Sequence, residues 1–196
     1  MQPTETSPDD RSAAGTVSTI RACRADDVAA MLAIINSAAT VYRGQIPADC
    51  WHEPYMSAAE LRSANEDGIA FAGCEIDGSL NGVMGYQQVS NVDLIRHAYV
   101  LPASQGRGVG SALIAHLRAQ TSRQILVGTW TAATWAVRFY ERHDFERVSE
   151  SVGALLLRTY WSIPQRQLET SLVLASPRLS GEDATKLVAL SHQGFR

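Results

Sequence analysis

Six consecutive residues, Gln105-Gly106-Arg107-Gly108-Val109-Gly110, have the composition of a phosphate-holding loop. Val109, Leu113, Ile114 and Leu117 recur at the spacing of one helix face, so the glycines before them sit at a helix N-terminus. The first N–H groups of a helix lack partners, and its dipole adds roughly half a positive charge there. Glycine permits left-handed backbone and lets an anion approach without meeting a Cβ, while Arg107 and Ser111 offer side-chain donors. Other residues suit proton chemistry: His97 in a run of apolar residues, the adjacent His52 and Glu53, and Tyr140. An imidazole or carboxylate can accept a proton near neutral pH, whereas a phenol with a pKa of about 10 holds one.

These residues need a frame. Leu94 to Val100 is apolar, aromatic and β-branched enough for a buried strand, and Pro102 ends it by removing a backbone donor. Two kinds of phosphate loop do not fit the glycine-rich segment after that strand. A P-loop needs Lys-Ser/Thr after its last glycine, whereas Gly110 precedes Ser111-Ala112. A dinucleotide fingerprint lies near a first strand and meets an acid about 20 residues on, whereas Gly106-x-Gly108-x-x-Ser111 lies mid-chain and Arg123 to Thr129 holds no acid.

The pattern that fits is Gln/Arg-x-x-Gly-x-Gly/Ala, and through it the chain resembles the GNAT family of N-acetyltransferases, which move an acetyl group from acetyl-CoA to an amine. Trp135 to Phe145, WAVRFYERHDF, is similar to the family's other signature, a helix carrying Ala-x-x-Phe-Tyr and ending in Gly-Phe. The resemblance covers about Ile20 to Ala175 and implies a splayed strand pair, Leu94–Val100 with Ile125–Trp130, whose notch takes acetyl-CoA. It assigns the cofactor to Gln105, Gly106, Arg107, Gly108, Val109, Gly110, Ser111 and Phe139, and to the backbone of Ala98 and Val100. It makes Tyr140 the acid for the departing thiolate; from the residues alone, a Tyr on an apolar helix face is a core residue with a satisfied hydroxyl. The chain departs from the family at Ala133, where many members carry Asn, and at Asp144, where they carry Gly; Asp is among the few residues that visit left-handed backbone.

The chain has 196 residues, room for one domain with ample core, and a formal net charge of −3, which argues against a nucleic-acid binder. Three unclustered cysteines, Cys23, Cys50 and Cys74, suggest neither a disulfide framework nor a zinc site, so no metal is expected and a reducing cytoplasm is. No run reaches the roughly 18 apolar residues of a membrane span. The first 17 residues offer almost nothing to bury and read as a mobile tail; 18–176 reads as a single domain; 177–196 reads as a polar tail in which Leu187 to Leu190 suggests one helix.

Taken in order, Ser18 to Cys23 predicts an edge strand, and Asp26 or Asp27 caps a helix whose core face holds Val28, Met31, Leu32 and Ile35. Tyr42 to Tyr55 is a loop with large side chains, suited to lining a pocket. Ser57 and Glu60 form a capping box, with Met56 and Leu61 as staple, for a helix ending near Gly68. Ile69–Ile76 and Leu80–Val89 flank Asp77-Gly78 as a hairpin. Strands are also predicted at Phe145–Val148 and Thr170–Leu174, while Leu155–Ile163 fits a short helix or extended chain equally. The fold class is α/β with α+β character: a mixed, mostly antiparallel sheet with helices on both faces.

The general base is open. His97 is one candidate, or else a buried hydrogen-bonded histidine; strand alternation sets it and Arg96 on opposite faces. Glu53 and His52 are candidates from the substrate side, or else a solvated pair. The stretch from Tyr42 to Ser57 resembles the substrate loop of phosphinothricin-type members, implying a small amino-acid-like amine, with a peptide amine as the wider class. Arg43 or Arg96 suits a carboxylate on such a substrate. No cysteine is placed for a covalent intermediate, which favours direct attack in a ternary complex. An acyl-CoA-binding regulatory module is the alternative, with a structural or interaction domain after it. Neither nucleic acid nor membrane is an expected partner; a homodimer through the C-terminal strands is a candidate assembly.

Overall fold

The computed structural model describes residues 18–191, so the N-terminal 17-residue expectation lies outside the described residues. The strands are β1 (Ser18–Ala22), β2 (Ala70–Ile76), β3 (Ser79–Val89), β4 (Val92–Val100), β5 (Gln124–Trp130), β6 (Glu146–Arg147) and β7 (Ser171–Ser176). The helices are α1 (Val28–Ala39), α2 (Ala58–Glu66), α3 (Val109–Arg118), α4 (Thr134–Glu141), α5 (Glu150–Tyr160), α6 (Gln165–Glu169) and α7 (Gly181–Ser191). One sheet of order β1-β2-β3-β4-β5-β7-β6 holds every strand, and only β4 and β5 run parallel.

Local signals account for much of this. Asp77 and Gly78 both have left-handed φ, 50° and 76°, which matches the twist of the β2–β3 hairpin. At the start of α2, Ser57 Oγ accepts from Glu60 N at 3.2 Å while Glu60 Oε2 accepts from Ser57 N at 2.7 Å, and Met56 and Leu61 are both buried beneath. Asp27, at the N-cap of α1, accepts from Arg24 N and from Arg21, whose guanidinium also reaches Glu75 on β2 at 2.7 Å. These bonds hold the Asp27 carboxyl down at about 2, the Arg21 hydrogen bond contributing most.

Helices α3 and α4 cover one face of the sheet with Val109, Leu113, Ile114, Val137 and Tyr140 against Ile95, Ile125 and Val127. On the other face α1 and α2 bury Met31, Ile35 and Leu61 against Phe71 and Val83. Beside them α5 and α7 bury Leu156, Leu157, Tyr160 and Ala184 against Leu94, Leu126 and Val173. The undecided Leu155–Ile163 stretch divides: it is helical to Tyr160, Trp161 is extended, and no regular element covers Ser162 and Ile163. The strand predicted at Phe145–Val148 shrinks to Glu146–Arg147, because Ser149 already caps α5 through Val152 N.

The ladder between β4 and β5 stops at Ile95↔Val127. Beyond it β4 continues against β3 to Val100 and β5 continues against β7 to Trp130, so the two strands part. A bulge at the same place, with His97 at φ 49° and a register shift opposite it between Val83 and Gly85, turns β4 further. That bulge breaks simple alternation: Arg96 and His97 border the same cavity, rather than lying on opposite faces.

Candidate active site

The parting of β4 and β5 opens two connected spaces. The first is a groove of about 510 Å³ between the end of α1, the loop before α3, and α4. Gly106 and Gly108 there have φ of 75° and 82°, and a Cβ on either would meet nothing within 4 Å, so the loop's backbone opens onto free space. Gly108 caps α3 in left-handed geometry, and its carbonyl accepts from Ala112 N at 2.9 Å. The loop is thus a cradle at a helix N-terminus, and it fits a CoA pyrophosphate. Gln105, Gly110, Ser111, Val109, Ala98, Val100 and Phe139 also border the groove. Gln105 Nε2 donates to Val100 O at 3.4 Å, tying the loop to the strand end. Arg107 is exposed and stands outside the groove lining.

Other groove residues carried no clear signal in the sequence. His143 Nδ1 donates to Phe139 O at 2.8 Å, and its Nε2 lies 2.8 Å from Ser111 Oγ. Trp135, half exposed on α4, meets Tyr42 with ring centres 5.6 Å apart and walls the groove with Val41 and Arg142. Their spacing is visible only after α1 and α4 have folded together. Ala133 is fully buried beside Ile46 and Trp130 and does not reach the groove. Asp144 adopts φ 57°, the left-handed geometry its place in the turn demands.

The second space is a cavity of about 240 Å³ on the far side of the slot. Its walls are Tyr42 and Tyr55 from the loop after α1, Ile95 to Tyr99 of β4, Val127 to Trp130 of β5, and Leu157, Trp161, Ile163, Gln167 and Ser171. Tyr42, Ala98, Tyr99 and Ala136 border both spaces. Tyr140 borders the cavity and is 5% exposed; burial, followed by the nearby Tyr42, pushes its phenol above 10, so it holds its proton at neutral pH. His97 stacks on Phe71 with ring centres 6.0 Å apart. Burial and then the Arg96 charge push its imidazole down to about 4, against a smaller opposing pull from Glu60, so it is neutral at pH 7.

Glu53 sits elsewhere. It is exposed, paired with Arg43, and outside the cavity lining. His52 Nδ1 lies 2.7 Å from Pro54 O and its Nε2 lies 3.5 Å from Glu60 Oε1, also outside the lining. None of the three cysteines, all free, borders the groove or the cavity. Among the described residues no three His, Cys, Asp or Glu side chains are grouped to hold a metal ion, and no helix is long and apolar enough to cross a membrane.

A mixed sheet split between two parallel strands, with a glycine cradle at one mouth, defines an acyl-CoA-dependent transferase. The sequence matches the family model of an acetyltransferase (GNAT) domain over residues 28–154, and the chain belongs to that family. The fold is similar to that of the ribosomal-protein-S18-alanine N-acetyltransferase from Escherichia coli, at 18% identity over 85% of this chain and 98% of that one, with a TM-score of 0.59. It is similar to PaiA N-acetyltransferase from Thermoplasma acidophilum, solved with coenzyme A, at 14% identity over 81% and 98% of the two chains and a TM-score of 0.59. A GNAT-family acetyltransferase from Staphylococcus aureus Mu50 gives 14% identity over 81% and 98%, with a TM-score of 0.61. No curated protein matches the chain by sequence. Its activity is the acetyl-CoA-dependent transfer of an acetyl group to an amine.

Proposed function

We propose that the amine is carried by a small, amino-acid-like molecule and attacks directly within a ternary complex. The observation that carries this reading is the junction: groove and cavity meet across the slot at Ala98, with Tyr140 facing the cavity there. When bound, acetyl-CoA supplies the activated thioester. The cradle of Gly106 and Gly108 anchors the pyrophosphate, and the free β5-facing edge of β4 at Ala98 and Val100 supplies backbone groups for the acetyl carbonyl and the pantetheine arm. His97, neutral and bordering the cavity, accepts a hydrogen bond from the substrate amine while the ammonium's proton leaves to bulk water, at pH 7 the stronger sink than this weakened imidazole. Tyr140 hands its proton to the departing sulfur. Glu53 acts in this scheme only if the loop bearing it swings inward, since it now pairs with Arg43.

The enclosure by Trp161, Tyr42 and Tyr55 favours a small molecule over a peptide, and the loop that resembles phosphinothricin-type members is the one supplying both tyrosines. Residues 18–176 form the catalytic unit in this reading, with free cysteines suited to the cytoplasm. Self-association through the C-terminal strands is testable by light scattering. The decisive experiment is free-thiol release from acetyl-CoA against amino acids, polyamines, aminoglycosides and peptide N-termini. Release with one group of amines supports the reading and begins to name the substrate. CoA binding without release from any of them points instead to an acyl-CoA-binding module.

A further inference from the structure

Arg96 stands on β4 one residue past the last β4–β5 ladder pair and borders the 240 Å³ cavity. Its Nη1 donates to Gln87 Oε1 at 2.9 Å, and among the described residues no carboxylate lies within ion-pair distance of it. That sets it apart. Among the described arginines, the others without an acidic partner, Arg24, Arg62, Arg107, Arg138, Arg142 and Arg158, are all exposed to water. Arg96 alone is partly buried and unpaired, and burial lowers its affinity for its proton, with Asp67 the acid that opposes this. A partly buried cation whose side-chain hydrogen bond goes to a neutral amide is costly unless a counter-charge completes it.

The position of this cation bears on the reaction. Arg96 lies two residues before Ala98 on β4, and both border the cavity, so one small molecule bridges them. Gln167, Ser171 and Thr129 add polar groups to the same cavity, and Leu157 and Trp161 add apolar ones. Arg43, the other arginine suited to this role, is engaged by Glu53 and lies outside the cavity.

We infer that Arg96 binds a carboxylate of the acceptor, so that the acceptor is a free amino acid and not a simple amine, polyamine or aminoglycoside. This rests on the small-amine acetyltransferase reading above. A guanidinium meets a carboxylate through paired N–H groups, a geometry that amides and bare amines do not offer. Much of the cavity wall that would select among side chains, Leu157, Trp161, Ile163, Gln167 and Ser171, lies beyond residue 154, where the family match ends.

The test is thiol release from acetyl-CoA by the full chain with matched sets: amino acids, their carboxamides and their decarboxylated amines. The wild type is expected to favour the acids in kcat/KM by about 10- to 100-fold, the worth of a charged hydrogen-bonded contact. Arg96→Gln is expected to bring the acid-to-amide ratio close to 1 through KM for the acids, and Arg96→Lys to restore part of it. The wild-type comparison needs no variant, so misfolding of Arg96→Gln leaves the proposal exposed. Equal rates for acids and amides in the wild type, or an unchanged ratio in folded Arg96→Gln, overturn it while leaving the acetyltransferase reading intact. Silence with every amine despite CoA binding overturns that reading and this proposal with it.

Discussion

The ring of Phe139 occupies the space that a side chain on Gly110 would need: a Cβ there would stand 2.8 Å from the ring's Cζ. The glycine loop and the aromatic helix, nearly 30 residues apart in sequence, are thus one packing unit, and Phe139 forms the groove wall only because Gly110 is bare. Gly110→Ala is expected to displace the ring, lower stability by about 1–3 kcal/mol and weaken acetyl-CoA binding. Calorimetry on the folded variant checks both; unchanged binding would make the contact a matter of packing alone.

Gly108→Val places a β-branched side chain at φ 82° and in the mouth of the cradle. Left-handed strain of about 1–2 kcal/mol is expected, together with loss of most acetyl-CoA affinity. A folded variant that binds acetyl-CoA normally would reduce the loop to a strand-to-helix turn.

Tyr140→Phe removes the phenolic proton while keeping the ring in the core. Turnover is expected to fall about 100-fold or more with acetyl-CoA affinity nearly unchanged. Steady-state kinetics beside equilibrium binding separates the two, and wild-type turnover would return Tyr140 to a packing role.

His97 has a depressed folded-state pKa of about 4, below the value near 6.5 of a free imidazole. Its favourable contribution to stability is therefore complete above pH 6.5 and is lost as the pH falls through 4. As a neutral hydrogen-bond acceptor for the amine it adds no acid limb to kcat/KM above pH 6, and His97→Gln is expected to lower kcat/KM by about 10-fold at pH 7. An acid limb near 6.5 in the wild type would show that another group titrates.

Asp27 has a folded-state pKa of about 2, also depressed, so its contribution is present above about pH 4 and lost as the pH falls through 2. Asp27→Asn is expected to cost about 1 kcal/mol at pH 7 and to flatten this acid dependence. Thermal unfolding at pH 7 and pH 3 measures both.

What could be read from the sequence was local. The Asp77-Gly78 turn, the Ser57–Glu60 box and the glycine loop each carry their geometry within a few residues, and each stands where expected. The cavity did not show itself, because its walls come from segments as far apart as Tyr42 and Ser171 and meet only through the sheet. The bulge at His97 was equally hidden, since a histidine at positive φ is imposed by tertiary pairing and not by its own preference. Glu53 had the right chemistry for a base, but it pairs with Arg43, ten residues earlier, and stands outside the cavity lining. Leu155–Ile163 was ambiguous because one stretch serves two states, with Leu156, Leu157 and Tyr160 filling a helix face and Trp161 leaving it to wall the cavity.

An unpaired strand edge on a protein's outer margin is a hazard, because any extended chain can add to it. Past Ile95, β4 has such an edge, but it is turned inward. Tyr42, Trp130 and Trp161 stand around it, leaving a slot for a thin ligand and no room for a neighbouring sheet. The backbone adhesiveness that drives aggregation elsewhere is thereby confined to a place where only a slender, amide-bearing molecule can use it.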